Sequence, residues 1–451
     1  MPTPRSLISI DDLSLAEMEA IFERARTFED DLRGQANRCP GRIAATLFYE
    51  PSTRTRLSFE SAMQRLGGGV ITAADMSVSS ASKGESLADT VRVVAGYADV
   101  LILRHQSEGA ARLAAEYSDI PVINAGDGSH EHPTQTLCDL YTLWIERGRI
   151  EGLDVVFAGD LRYSRTIHSF AYALARFRAN IVCIPQPGFD LPPYVVQRLR
   201  EEFGVEPVRA EASRLGHLAA ASDVVYLTPQ KPHQLSLFTD PSGMSVGRVD
   251  AVYMTRPQTE RFGEDSELDE TKYIQLDKSQ LAAESLRNAM LMHPMPRRDE
   301  IHSELDGDPR SVYFKQAARG VPIRMALLEA LLEADAALGA EPPASEPVWP
   351  AHRVGVACAN ERCICHTEAR HVGMRFRLAS RLPHRAHCPY CSHEIAFGRV
   401  GCSTTRHHHA LDSRDVLKIR PEHMVFFRDA DQAEGAGFRA ARSASTAPPT
   451  S

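Results

Sequence analysis

The chain has no uninterrupted apolar run of membrane-spanning length, which argues against a transmembrane helix. Its first residues, Met1-Pro-Thr-Pro-Arg-Ser, lack the apolar centre of a secretory signal, so a cytoplasmic address is expected. There is no strong bias toward Gly, Pro or Ser, and hydrophobic residues at 43% with charged residues at 24% are those of a globular protein. An excess of positive charge is missing as well. The net charge of −8 argues against nucleic acid as the main partner, although it permits local basic pockets. Cysteine is almost absent from the first 357 residues, where only Cys39, Cys138 and Cys183 occur. The remaining six of nine crowd into positions 358–402. In a chain of cytoplasmic type such a cluster reads as metal binding before disulfides. Composition therefore divides the chain near residue 350, and 451 residues exceed one ordinary domain.

Residues 1–340 alternate between short apolar runs and helix-length segments. The runs beginning at Gly41, Ala98, Asp154, Ala179, Asp250 and Ala289 are each bounded by polar, Gly or Pro residues. Continuous apolar strands interleaved with helices predict parallel sheets covered on both faces. Two doubly wound sheets joined near 130–150 suit this length better than one. Asp223-Val-Val-Tyr-Leu-Thr echoes Asp250-Ala-Val-Tyr-Met-Thr, 27 residues later, and only the second is followed by an arginine. The segment 341–352 holds four prolines in twelve residues and predicts a stiff linker. Beyond the cysteines a strand or short helix is expected within 403–430. The Ala/Gly/Ser/Pro-rich end from Ala433 to Ser451 is expected to be disordered.

The strongest single signal is Glu50-Pro-Ser52-Thr53-Arg54-Thr55-Arg56 after an apolar strand. A helix that starts here presents unpaired N–H groups and the positive end of its dipole, which together make an anion site. Hydroxyls of Ser52, Thr53 and Thr55 add donors, and Arg54 adds a fork suited to phosphate oxygens. The bland alternative is an N-capped surface helix with solvated arginines.

Ser-Thr-Arg-Thr-Arg after a strand resembles the carbamoyl-phosphate loop of the aspartate and ornithine carbamoyltransferases. Leu103-Arg104-His105, His132-Pro-Thr-Gln135-Thr and His293-Pro-Met295-Pro296-Arg match further stretches of that family in order. The resemblance covers most of residues 5–335. It implies an α/β fold: a carbamoyl-phosphate-binding domain over 1–135 and an aspartate-binding domain over 136–335, whose last helix returns to the first. It also implies that Ser52, Thr53, Arg54, Thr55 and Arg104 hold the phosphate. Thr55, Arg104 and His132 face the carbonyl oxygen, and Gln135 with the Met295 and Pro296 carbonyls holds the carbamoyl NH2. His105 and His293 are expected to be structural. Met295 stands where leucine is commoner, with little consequence if only its carbonyl acts.

Further segments resemble the aspartate enzymes in particular. These are the loop with Ser79 and Lys83, the segment carrying Arg165, and the loop with Arg256, Gln258 and Arg261. A dicarboxylate calls for several cations, and Lys83, Arg165 and Arg256 supply them, whereas the cationic tail of ornithine is repelled. The implied reaction joins carbamoyl phosphate to L-aspartate with no catalytic cofactor. Glu50 with Arg165 and Arg261 resembles ion pairs that hold two closed domains together. Ser79 and Lys83 of a neighbouring subunit are implied to complete each site, giving at least a homotrimer. Other pyrimidine-pathway enzymes are candidate partners. The alternatives are a carbamoyltransferase for another amino acid, such as ornithine, and a non-catalytic scaffold. The retained phosphate-loop residues and arginines oppose both.

Cys358-x4-Cys363, then 24 residues, then Cys388-x2-Cys391, has the form of two knuckles closing a tetrahedral Zn2+ cage. Cys365 is a rival for Cys363, which is preferred because Cys363-Ile-Cys-His also resembles the zinc domain of the aspartate carbamoyltransferase regulatory chain. A linker over 336–352, a β-rich zinc domain over 353–402 and an extension over 403–451 are expected. The His407-His408-His409 run reads as an exposed loop. The stretch between Ala340 and Ala351 leaves no room for the regulatory chain's nucleotide-binding domain, so regulation through one is not expected.

Overall fold

The computed structural model describes residues 5–73, 84–214, 218–219, 221–228, 249–256, 275–333, 348–350, 358–368, 375–381 and 384–441. Ser79, Lys83, Gln258, Arg261 and the segment 230–248 lie outside the described residues. Among the described residues no helix is long and apolar enough to cross a membrane.

The N-terminal part is a four-stranded parallel sheet of β1 (Ile43–Phe48), β2 (Gly69–Ala73), β3 (Val100–His105) and β4 (Val122–Asp127) in the order β2-β1-β3-β4. Every residue of β3 and β4 is buried, and Val100–Leu103 of β3 reads accordingly as an unbroken apolar run. Helices α1 (Leu15–Asp30), α2 (Thr53–Arg65), α3 (Leu87–Ala95) and α4 (Ala110–Tyr117) accompany the sheet. α1 starts with a capping box in which Ser14 and Glu17 satisfy each other's backbone N–H groups.

Helix α5 (Pro133–Arg147) leads to the second sheet and runs across the boundary expected at residue 135. That sheet holds β5 (Asp154–Gly159), β6 (Asn180–Pro185), β7 (Val208–Arg209), β8 (Val224–Leu227), β9 (Ala251–Met254) and β10 (Met290–Met292). All are parallel, in the order β10-β9-β8-β5-β6-β7. The sequence echo becomes the adjacent strands β8 and β9, in register at Tyr226 and Tyr253, whose rings stack 4.2 Å apart. Helices α6 (Arg165–Arg176) and α7 (Pro193–Glu201) cover this sheet. The long helix α8 (Tyr313–Leu332) then returns to pack on α1, α2 and α5.

Each sheet reverses direction once, between β1 and β3 and between β5 and β8. Ligands of open α/β sheets bind at the carboxyl ends of strands flanking such a reversal. The two reversals place the Ser52–Thr55 turn, Arg104 and Arg165 at strand ends around one cleft.

The C-terminal part is all-β in character. It holds a three-stranded sheet of β11 (Val348–Pro350), β12 (Arg375–Arg381) and β13 (His384–His387). A second sheet orders β14 (Arg399–Cys402), β15 (His407–Ala410), β16 (Met424–Phe427) and β17 (Arg439–Ala440) as β16-β14-β15-β17. Two expectations are corrected here. The His407–His409 run is strand β15 rather than an exposed loop, with His408 buried at 2% exposure. Order also continues past Ala433, to Ala441, because Phe438 packs on Phe427 and β17 pairs with β15. Described strands therefore continue beyond the zinc domain expected over 353–402.

This module does not hang on its linker. One apolar core runs from Leu101, Leu103, Val91 and Leu113 of the first domain into Ile364, Phe376, Tyr390 and Phe426. The backbones of Glu108 and the 362–364 turn exchange two hydrogen bonds of 2.9 Å, and Asn360 donates to the Glu108 carboxylate at 2.8 Å. Gly109, at φ +83°, lies so close to Tyr390 that an added Cβ would sit 2.5 Å from the Tyr390 Cβ. Both the conformation and the space demand glycine. Gly109→Ala is expected to destabilise the docked module by about 1–3 kcal/mol, read as a lower denaturant midpoint for its unfolding.

Candidate active site

A cleft of about 460 Å³ opens between the two α/β domains. Its first wall is the turn after β1. Ser52 precedes α2 in extended conformation, and its side chain does not cap the helix. Ser52, Thr53, Arg54 and Thr55 all line the cleft, with Thr55 buried. The first N–H groups of α2 face outward for the usual reason that no preceding turn accepts them. The arrangement thus favours an anion site over a plain surface cap.

Arg104, at the end of β3, is 7% exposed and donates to the Ala125 carbonyl at 3.1 Å and to Glu50 at 2.6 Å. Arg165, at the start of α6, donates to the same Glu50 carboxylate at 3.2 and 3.3 Å and to the Gly128 carbonyl at 2.8 Å. Glu50 therefore bridges two guanidiniums, one from each domain. Gly126, at φ +116°, leaves them room: an added Cβ would lie 3.1 Å from Arg104 Nη1 and 3.3 Å from Arg165 Nη1. Burial and the neighbouring Arg165 push Arg104 down to about 9, with Glu50 opposing. The cleft walls, which partly desolvate its exposed side chain, and Arg256 likewise lower Arg54. Crowded cations of this kind are relieved by a bound anion.

The floor comes from α5 and α8. His132 is buried before Pro133, and its N–H donates to Ser169 Oγ at 3.1 Å. Gln135 Nε2 donates to Asp139 Oδ1 at 2.8 Å. The His293–Pro296 turn closes the far side. Its His293 ring contacts Glu300 at 2.7 Å and accepts the Met295 N–H at 2.8 Å, the structural role expected of it. His105 is buried outside the cleft lining, and burial pushes its ring down to about 4. Arg256, Met295 and Pro296 line the cleft as well.

The structure thus brings together Ser52, Thr53, Arg54, Thr55, Arg104, His132, Gln135, Arg165, Arg256, Met295 and Pro296. Sequence reasoning missed Gln316, Gly320 and Arg324, which line the same cleft from α8. Their spacing of four, which puts them on one face of the helix, was the available signal. Arg324 is 4% exposed, donates to the Gly320 carbonyl at 3.0 Å and lies 4.8 Å over the Phe59 ring.

The second candidate centre is the cysteine group. The sulfurs of Cys358, Cys363, Cys388 and Cys391, all buried, lie within 4.8 Å of one another. Cys358 and Cys391 are 3.4 Å apart and Cys363 and Cys388 are 3.7 Å apart. A tetrahedral zinc with 2.3 Å bonds sets its sulfurs about 3.8 Å apart, so this donor set fits that ion. Cys365 is half-buried and outside the group.

Known proteins agree with both centres. Residues 5–145 match the carbamoyl-P binding domain of aspartate/ornithine carbamoyltransferase, and residues 227–331 match its Asp/Orn binding domain. Residues 352–400 match the metal binding domain of the aspartate carbamoyltransferase regulatory chain. The aspartate carbamoyltransferase catalytic subunit of Methanocaldococcus jannaschii is 42% identical over 332 residues, covering 73% of this chain and 98% of that one. The chain belongs to the aspartate carbamoyltransferase family. The Thermococcus kodakarensis catalytic subunit is 46% identical over 331 residues, 72% of this chain and 96% of its own. Among solved structures, the M. jannaschii catalytic subunit superposes with a TM-score of 0.59 at 40% identity, covering 73% and 99% of the two chains. The Trypanosoma cruzi aspartate transcarbamoylase in complex with N-(phosphonacetyl)-L-aspartic acid gives 0.58 at 32% identity, covering 72% and 95%. The β-rich module with its structural zinc site is thus a regulatory-chain element joined to a catalytic chain of this family.

Proposed function

We propose that the chain transfers the carbamoyl group of carbamoyl phosphate to the α-amine of L-aspartate, giving N-carbamoyl-L-aspartate and phosphate, an early step of pyrimidine synthesis. The observation that carries this reading is the convergence of an N-terminal helix turn and five arginines, Arg54, Arg104, Arg165, Arg256 and Arg324, on one cleft.

Ser52, Thr53, Arg54, Thr55 and Arg104 bind the phosphate. They neutralise it further as the C–O bond breaks and charge moves onto the leaving oxygen. Thr55, Arg104 and His132 face the carbonyl oxygen, where the oxyanion develops as the aspartate nitrogen bonds to carbon, and the proton that nitrogen sheds leaves with the phosphate. Gln135 and the carbonyls of Met295 and Pro296 receive the carbamoyl NH2. Arg165, Arg256 and Gln258 bind the aspartate carboxylates, which excludes the cationic tail of ornithine. Most of the acceleration comes from orientation and fixed charge, so the chemistry calls for no protein nucleophile and no catalytic metal.

Ser79 and Lys83 act from an adjacent subunit of a homotrimer, at a cytoplasmic location. α3 follows their loop directly, and its Leu87 N–H is held at 2.8 Å by Glu368 of the zinc module. Four thiolates, from Cys358, Cys363, Cys388 and Cys391, hold the zinc and fold the module around it. Inhibition by pyrimidine nucleotides through an effector domain of the regulatory-chain kind is expected to be absent, which steady-state assays with added nucleotide check.

The test of the reaction is to mix 13C-carbamoyl phosphate with L-aspartate and the purified chain. Equal growth of a ureido carbon signal and of inorganic phosphate is the expected result. Phosphate release without the ureido product contradicts the reading.

A further inference from the structure

Asp139 lies on α5 one turn beyond Gln135 and is 1% exposed. A carboxylate so placed needs donors, and three reach it. Gln135 Nε2 and Gln316 Nε2 both donate to Oδ1, at 2.8 and 2.7 Å, and the Tyr253 hydroxyl donates to Oδ2 at 2.9 Å. The donors come from α5, α8 and β9, three elements distant in sequence. Gln316 passes the connection on. With its nitrogen on Asp139, its Oε1 accepts the His293 N–H at 2.9 Å, and the His293 ring accepts the Met295 N–H at 2.8 Å.

An amide whose nitrogen is directed at a carboxylate has its carbonyl oxygen left for the cleft. Asp139 thus selects which end of Gln135 meets a ligand, and it selects the acceptor that a carbamoyl NH2 requires. Burial pushes the Asp139 carboxyl up to about 7 in spite of the three hydrogen bonds. An apolar side chain would fill the space without that desolvation cost.

We propose that Asp139 is a positioning residue for the carbamoyl group. Its Oδ1 fixes the amide of Gln135 and, through Gln316 and His293, the Met295–Pro296 turn. Both sets of acceptors for the carbamoyl NH2 are thereby set by one buried atom. This rests on the roles proposed above for Gln135 and the two carbonyls.

Three variants of the full, zinc-loaded chain test it, each with steady-state kinetics, a thermal melt and zinc content. Asp139→Asn keeps an Oδ1 acceptor and turns its nitrogen to the Tyr253 oxygen, so kcat stays within about threefold of the parent. Asp139→Leu removes the acceptor at similar volume. Its kcat falls about 100-fold, the cost of a small misplacement. Its KM for carbamoyl phosphate rises about tenfold, the equivalent of one hydrogen bond, while the KM for aspartate changes little. A folded Asp139→Leu protein with parental kcat and KM overturns the proposal, as does an Asn variant damaged as severely as the Leu one. Should the Leu variant fail to fold, Gln316→Leu severs only the branch to the 295–296 turn. A tenfold higher KM for carbamoyl phosphate is then expected, and an unchanged KM overturns the inference. A parent chain that forms no carbamoyl aspartate instead removes the functional reading beneath it.

Discussion

Replacing Arg54 by alanine will lower kcat about 1,000-fold while leaving the thermal melt unchanged. The side chain is exposed on the wall of the cleft at the first turn of α2, so no core packing is lost with it. What is lost is a cation fixed where the phosphate leaves. Arg54 feels the like charge of Arg256 across the cleft, a repulsion that a bound anion relieves. The transition state carries more charge on the leaving oxygen than the ground state does, so the loss falls mainly on kcat. A variant within about tenfold of the parent contradicts this role.

The second large effect follows from removing zinc, by a chelator or by Cys391→Ser. A cage this small folds because the metal binds, with apparent binding energies of about 10–16 kcal/mol in comparable zinc peptides. The module will lose its fold, and zinc content will fall from one per chain to none. The consequence reaches the cleft, because the knuckle touches both α/β domains. Arg362 donates to Ser129 at 3.2 Å, in the loop that leads to His132. Its guanidinium also lies 5.2 Å over the Tyr163 ring, two residues before Arg165. His393 meets Tyr194 on α7, with ring centroids 4.6 Å apart. Loss of these contacts removes one of the ties between the two domains. The expected outcome is faster amide exchange at Glu108, Gly109 and the 127–132 loop, with the KM for aspartate raised about tenfold. Exchange confined to the module, with parental kinetics, means that the module is docked without consequence for the site.

How much of this was legible beforehand depends on sequence distance. The phosphate turn was readable because Ser52 to Thr55 are contiguous and their chemistry is that of a helix N-terminus. The two parallel sheets were readable because the buried stretches Val100–Leu103 of β3, Val155–Ala158 of β5 and Ala251–Met254 of β9 are continuously apolar. Glu50 was recognised as a partner of Arg165, but its equal hold on Arg104 required the fold to bring the ends of β1 and β3 side by side. Asp139 was invisible for the same reason, and Gln316 and Arg324 offered only their spacing: Gln316 meets Asp139 at a sequence separation of 177. Strand β15 escaped because three histidines carry no alternation. Only its pairing with β14 and β17, and the burial of His408, make it a strand.

The most direct test of the whole account is turnover by the purified, zinc-loaded chain with carbamoyl phosphate and either L-aspartate or L-ornithine. The account predicts N-carbamoyl-L-aspartate with the first and no transfer with the second. Transfer to ornithine, or to neither amino acid by a folded chain, contradicts it.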